Sequence, residues 1–136
     1  MPRRTGRKTV DRSRYREYEQ VADHFFEAAR DAMDLEYWTA AGVLIVHSAI
    51  AYADALCIQQ SGVRSAADDH EEAAALLEQV LPSSDEVSKA IQHLRRIIDE
   101  KTKVSYLGEL YSRSQTKALW DRLDRFRRAA KRVLQR

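Results

Sequence analysis

Apolar residues recur at steps of three and four along most of this chain, which is the spacing of one face of an α-helix. The pattern predicts four long helices and one short helix. No stretch alternates apolar and polar residues as a half-buried strand does, so we expect no β-sheet. The predicted helices lie at about residues 14–36, 37–61, 69–81 and 114–136, with one more that follows Ser83 and loses its periodicity between Lys101 and Gly108.

The second predicted helix is apolar nearly all the way round, which is typical of a helix at the centre of a protein. It carries His47 and Asp54 two turns apart on one stripe. Polar side chains at such a place form hydrogen bonds or cost stability. We expect a satisfied buried pair that bonds a neighbouring helix or a second subunit, and a role in ligand binding is the alternative.

The ends of two predicted helices carry recognisable signals. Gly62 follows the second helix, where a glycine is suited to a left-handed C-cap. Ser83 and Glu86 stand three residues apart before an apolar run, which is capping-box spacing. These signals predict a helix end at Gly62 and a helix start at Ser83.

The connections between predicted helices are short, which favours antiparallel neighbours. We expect an all-α fold, an up-and-down four-helix bundle with one additional short helix. A chain of 136 residues is the size of a single domain. The predicted domain spans residues 14–136, and residues 1–13 are predicted to be a basic flexible tail because they hold too few apolar residues to fold alone.

Composition narrows the setting in which the protein works. The single cysteine, Cys57, cannot form an internal disulfide, which favours a reducing compartment, and we expect a cytoplasmic location. No wholly apolar stretch approaches the roughly 20 residues that span a bilayer, and the first residues lack the apolar core of a secretory signal. We therefore expect no membrane contact.

Charge is distributed unevenly although the formal net charge is only +2. Residues 17–100 hold five basic and seventeen acidic residues, whereas residues 101–136 hold eleven basic and three acidic ones. Clustered arginines can neutralise RNA phosphates. The alternative is that the acidic first helix, of this chain or of a second subunit, pairs with the basic last helix. The predicted basic face of that helix comprises Arg122, Arg125, Arg128, Lys131 and Arg132.

The sequence holds no motif for metal or nucleotide binding. The four histidines lie on four different predicted segments, and Cys57 has no sulfur partner, so we expect no metal site and no cofactor. The scattered glycines form no phosphate loop, and no serine stands in a nucleophile elbow. We expect His70, at the start of the short helix, to be a buried structural residue beside the capping Asp68 or Asp69.

Several features recur together in an order that resembles the HEPN superfamily of small helical domains. A tyrosine precedes a helix of small residues, an acidic-Ala-Leu run ends that helix, and a glycine, a loop, a histidine and a Leu-Leu pair follow. The similarity covers about residues 20–130. The matching positions are Tyr37, the run Asp54-Ala55-Leu56, Gly62, His70 and the pair Leu76-Leu77.

The resemblance implies a four-helix bundle with an additional short helix, commonly a two-fold dimer. Many members of this family are metal-independent ribonucleases, toxins paired with a nucleotidyltransferase-like antitoxin, or domains that bind RNA or nucleotides. Active members carry an arginine, four to six residues and a histidine. Here Lys101 stands in place of the arginine and Tyr106 in place of the histidine. Arg64 and His70 have a similar spacing in the loop after the second helix, but we do not assign the motif to them.

We hypothesise a dimeric binding or partner module of toxin–antitoxin or defence type. Tyrosine titrates near 10 and lysine lacks the two-pronged grip of arginine, so cleavage by the family's acid–base mechanism is not expected. The alternatives are a metal-independent endoribonuclease with an altered Lys101 and Tyr106 motif, and a purely structural interaction bundle. The residues predicted to line a groove for phosphate, RNA or a partner are Arg95, Arg96, Lys101, Lys103 and Tyr106.

Overall fold

The structure, a computed structural model, describes residues 7–66, 71–105 and 110–136, with the backbone alone for residues 102–105. It confirms an all-α helical bundle. The five helices begin and end within a few residues of the predicted positions. They are α1 (Tyr15–Asp34), α2 (Trp38–Ser61), α3 (Glu71–Val80), α4 (Asp85–Ser105) and α5 (Arg113–Leu134), and two short strands, β1 (Arg7–Thr9) and β2 (Val63–Ser65), accompany them.

Helix α2 lies at the centre of the bundle and packs against α1, α3, α4 and α5. Its apolar residues point in all directions, so it can be stable only when its neighbours cover most of its circumference. Tyr52, Leu56 and Ile45 are among its largest fully buried side chains. The helix ends as predicted, because Gly62 adopts a left-handed φ of 70° and its N–H donates to the carbonyl of Ile58.

The start of α4 differs by one residue from the predicted capping box. Ser84, not Ser83, lies before the first helical residue, and its hydroxyl accepts a hydrogen bond from the N–H of Val87 at 3.1 Å. Glu86 instead accepts a hydrogen bond from the side chain of Arg132 on α5 at 2.7 Å. Two adjacent serines follow Pro82, and the sequence alone does not decide which of them forms the cap.

The expectation of no β-sheet is wrong in one place. Strands β1 and β2 pair antiparallel, with Arg7 opposite Ser65 and Thr9 opposite Val63. The next N–H, of Val10, donates to the carbonyl of Gly62 at 2.8 Å. Residues 7–13, which were predicted to be part of a flexible tail, therefore belong to the folded unit in this structure. The folded unit begins before residue 14, the predicted start of the domain. Strands of three residues are too short to show an alternating pattern.

A polar network joins α1, α2 and α5 across the core. The fully buried Tyr52 donates a hydrogen bond to Asp23 and accepts one from Arg127 at 2.9 Å. Lys131 reaches Asp23 at 2.8 Å and Glu19 at 2.7 Å. Burial, followed by the hydrogen bond to Asp23, raises the pKa of Tyr52, so the phenol stays protonated and keeps its donor role.

Asp54 is a buried carboxylate under β2. Its side chain is 8 % exposed and accepts a hydrogen bond from the hydroxyl of Ser65 at 3.2 Å. Burial raises the pKa of Asp54 to about 7, while the charge of Arg64 and the bond from Ser65 oppose that rise. The charged form of Asp54 is therefore costly in the folded protein.

We predict that Asp54→Asn stabilises the protein at alkaline pH. A folded-state pKa above the unfolded one means that wild-type stability is lost as the pH rises from about 4 to about 7. Asparagine avoids this cost, so the free energy of unfolding of the variant should exceed that of wild type by up to about 4 kcal/mol near pH 8 and match it near pH 4. Urea unfolding at both pH values measures this difference, and an equal difference at both would contradict it.

We predict that Tyr52→Phe destabilises the fold by about 1–3 kcal/mol, because Asp23 and Arg127 lose their shared partner. Tyr15→Phe is the matched control, since Tyr15 lies outside this network and its hydroxyl accepts a hydrogen bond from the exposed side chain of Arg16. Its free energy of unfolding should stay within about 0.5 kcal/mol of wild type. Thermal and urea unfolding of both variants provide the measurement, and equal effects would argue against the network.

Candidate functional site

Two of the predicted groove residues, Arg95 and Arg96, face different grooves. Arg95 turns towards α3, where it forms an ion pair with Glu78. Arg96, the next residue on α4, is exposed and lines a groove with α5. Consecutive residues of a helix point about 100° apart, so these two cannot share one surface. The side chain of Lys103 and all of Tyr106 lie outside the described residues.

Lys101 lies near His47 rather than in a groove of arginines. Burial, followed by the charge of Lys101, lowers the pKa of His47. The ring of His47 stacks on Phe25 of α1 with a centroid distance of 5.5 Å. Neighbouring side chains cover part of His47, but the residue as a whole is exposed, so the prediction of a buried pair with Asp54 is wrong. Helix α2 is apolar on every side, and its pattern gave no sign of the face that its neighbours leave open.

Of Arg64 and His70, the other pair with the spacing of the family motif, the structure describes only Arg64. Arg64 is half-buried on β2, and its guanidinium donates a hydrogen bond to the carbonyl of Ser65 at 2.8 Å. Its charge also acts on Asp54. His70 lies outside the described residues, so its predicted structural role stays a prediction. Arg64 therefore serves the packing of β2 on α2.

The predicted basic face of α5 divides into two groups. Lys131 contacts Glu19 and Asp23 of α1. This contact matches the alternative in which the acidic first helix of the same chain pairs with the basic last helix. Arg128 pairs with Asp124 at 3.1 Å, and Arg132 pairs with Glu86 of α4 at 2.7 Å. These three cations are therefore neutralised within the chain. The other two, Arg122 and Arg125, have no carboxylate partner among the described residues.

Arg122 lies beside His93 of α4. The guanidinium Nη1 of Arg122 lies 3.4 Å from Nδ1 of His93. Burial is the largest cause that lowers the pKa of His93, and the charges of Arg122 and Arg125 lower it further. No carboxylate is among the groups that shift this pKa. The surroundings of His93 are therefore net positive.

Two more cations extend this surface along α4. Lys89 lies four residues before His93 and Arg96 lies three residues after it, so all three share one side of the helix. Lys89, Arg96 and Arg125 are exposed, and none of them takes part in an ion pair within residues 7–66, 71–105 and 110–136. We call this surface the α4–α5 basic face, and it consists of Lys89, His93, Arg96, Arg122 and Arg125.

A groove of about 320 Å³ continues from the α4–α5 basic face between the two helices. Arg96 and Arg122 line it together with Asp99 and Glu100. Glu100 accepts a hydrogen bond from the hydroxyl of Tyr111, whose own N–H donates to the side chain of Thr39 at 2.9 Å. The groove therefore carries mixed charge, and the unneutralised cations gather beside His93.

The sequence carries a signal for this surface within α4. Lys89, His93 and Arg96 have the spacing of one helix face, but only the basic residues of the last helix were grouped. Arg125 is exposed and Arg122 is half-buried beside α4, and their role in a basic face stays a prediction. Their partner His93 could be found only once the side-by-side placement of α4 and α5 was known.

Among the described residues, no group of three or more His, Cys, Asp and Glu side chains is placed to hold a metal ion. Helix α2 is long and apolar enough to cross a membrane, with a mean hydropathy of 1.8, and 83 % of that window is buried inside the bundle. A core helix of a folded domain has the same two properties.

Comparison with known proteins identifies no similar protein. No family model matches the chain, and neither a curated protein nor a solved structure matches it. The resemblance to the HEPN superfamily therefore rests on the sequence positions given above.

Proposed function

We propose that this protein is a HEPN-like helical binding module that contacts the phosphate backbone of RNA through the α4–α5 basic face. The observation that carries the proposal is the pairing of Arg122 with His93, at 3.4 Å, in place of a carboxylate. An arginine beside a neutral imidazole keeps its full charge for an external anion. Both RNA binding and the relation to the HEPN superfamily are parts of this proposal.

The layout of the α4–α5 basic face favours an extended anion. Lys89 and Arg96 are seven residues apart, which is about 10 Å along a helix. Arg122 and Arg125 add a second row on α5. Two rows of cations on neighbouring rigid helices can contact more than one phosphate of a strand at once, and arginine can hold a phosphate through two hydrogen bonds.

The contrast within α5 also supports an external ligand. Arg128, Lys131 and Arg132 on the same helix all have carboxylate partners. Arg122 and Arg125 have none among the described residues. The basic helix therefore uses part of its charge for intramolecular ion pairs and presents the rest on one side. Catalysis by Lys101 and Tyr106 remains the alternative, and RNA binding does not require it.

We predict that RNA binding is salt-sensitive and depends on Arg122 and Arg125. Arg122→Gln with Arg125→Gln should weaken binding of a single-stranded RNA by about tenfold or more and reduce the salt slope by about 1.4. Arg128→Gln with Arg132→Gln is the matched control, since it removes the same charge from the same helix. The control should change the dissociation constant by less than about threefold.

Fluorescence anisotropy over a series of salt concentrations measures both variants. Equal losses in the two double variants would indicate net charge rather than a defined site and would contradict the proposal. The same RNA, run on a denaturing gel after incubation without metal, tests the alternative. Cleavage that Lys101→Ala abolishes would favour an endoribonuclease.

We further propose that the protein is a homodimer that pairs through an apolar stripe on α1 and α2. Val21, Leu35 and Tyr37 are exposed by 47 %, 64 % and 62 %, and apolar side chains that share one surface are typical of an interaction site. On α2, Ala40, Leu44 and Ala51 follow at helical steps beside His47, which stacks on Phe25 of α1. The stripe comprises Val21, Phe25, Leu35, Tyr37, Ala40, Leu44 and Ala51. A nucleotidyltransferase-like partner stays a prediction of the resemblance.

We predict that Val21→Glu weakens self-association. A glutamate buried in the dimer interface loses its hydration without gaining a partner, so the dimer dissociation constant should rise by about tenfold or more. Gln20→Glu is the matched control, because it places the same charge on the neighbouring, exposed position of α1. Sedimentation equilibrium at micromolar concentrations distinguishes the variants. A wild-type protein that is monomeric throughout would contradict the proposed dimer.

A further inference from the structure

The contact between Arg122 and His93 favours the neutral form of the imidazole. Arginine has only donors, so Nη1 of Arg122 donates and Nδ1 of His93 accepts across the 3.4 Å between them. An imidazole that accepts at Nδ1 is neutral and carries its proton on Nε2. A protonated His93 would present a second N–H to Arg122 and would repel it.

The charged groups around His93 are mostly positive. On α4 itself, Lys89 and Arg96 lie one turn before and one turn after it, and Asp99 lies further along the groove. From α5, Arg122 and Arg125 act on it directly. The other acids of α4 are Asp85, which is exposed, Glu86, which pairs with Arg132, and Glu100, which accepts a hydrogen bond from Tyr111. Those of α5 are Asp121, which is exposed, and Asp124, which pairs with Arg128, and from α3 Glu78 pairs with Arg95.

An anion bound between Arg122 and His93 would favour protonation of the imidazole. A phosphate oxygen accepts hydrogen bonds from Arg122 and from His93, and it removes the need for Nδ1 to accept from Arg122. Its negative charge also favours the protonated form of a neighbouring imidazole. Both donors of the pair could then point at the same ligand.

We infer that a phosphate group binds between Arg122 and His93, replaces the contact between them, and draws a proton onto His93 as it binds. This inference rests on the proposed function, since the phosphate in question is that of the RNA backbone, and a free phosphate would show the same chemistry. The consequence is that RNA affinity increases as the pH falls. Uptake of one proton changes the dissociation constant by at most tenfold for each pH unit.

Binding of a single-stranded oligouridylate at constant ionic strength tests the inference. From about pH 7.5 to about pH 5.5, the wild-type dissociation constant should fall by about tenfold, whereas that of His93→Gln should change by less than about twofold. His24→Gln is the matched control, because His24 is an exposed histidine of α1, and it should behave as wild type. The same pH dependence in wild type and His93→Gln would overturn the inference and leave RNA binding intact.

A second measurement does not depend on a variant. Nuclear magnetic resonance of the wild-type protein follows the pKa of His93 without ligand, with inorganic phosphate and with the oligouridylate. A rise of about one unit or more with either ligand supports the inference, and the two arms distinguish a free phosphate from the RNA backbone. No rise with either ligand overturns it. If RNA fails to bind but inorganic phosphate raises this pKa, the proposed function fails and the phosphate site stands.

Discussion

The burial of α2 is the constraint on which the other elements depend. A helix of 24 residues that is apolar on every side exposes a large unfavourable surface until it is covered. Helices α1, α4 and α5 supply long apolar faces, and the shorter α3 covers the part near Leu56 and Leu77. The polar surfaces of the bundle are then what remains on the outer sides of these neighbours. The α4–α5 basic face is one such outer surface.

The basic residues of helix α5 fall into two groups, those that form ion pairs within the fold and those that are available to a ligand. Lys131 and Arg127 face α1 and α2, where Asp23 and Tyr52 provide partners. Charges held in this way stabilise the fold, because removing one partner takes away a bond from each of the groups that it contacts. Arg122 and Arg125 lie at the side of α4, which supplies an imidazole rather than an acid. The division between structural and available cations follows from which helix each side chain meets.

Helical periodicity was sufficient to predict the bundle, because five amphipathic or apolar segments bounded by Gly62, Pro82 and a few polar residues leave little choice of fold class. The orientation of α2 could not be predicted in this way. A helix without a polar side gives no information about which residue faces out, so His47 was placed inside. The β1–β2 pair was missed because its stability comes from long-range pairing of two short segments, which no local pattern records. The site beside His93 needed the same long-range information, namely that α5 lies against α4.

The link between Glu19 and Lys131 has a consequence for the order in which the protein folds. These residues are 112 positions apart, so their contact closes a loop of most of the chain. The entropy lost on closing such a loop must be offset by contacts that are already in place. Because its contacts are local, we expect the α1–α2 hairpin to form early and α5 to complete the network at the end. Interactions that form late affect the rate of unfolding more than the rate of folding, so this network acts mainly by slowing the opening of the bundle.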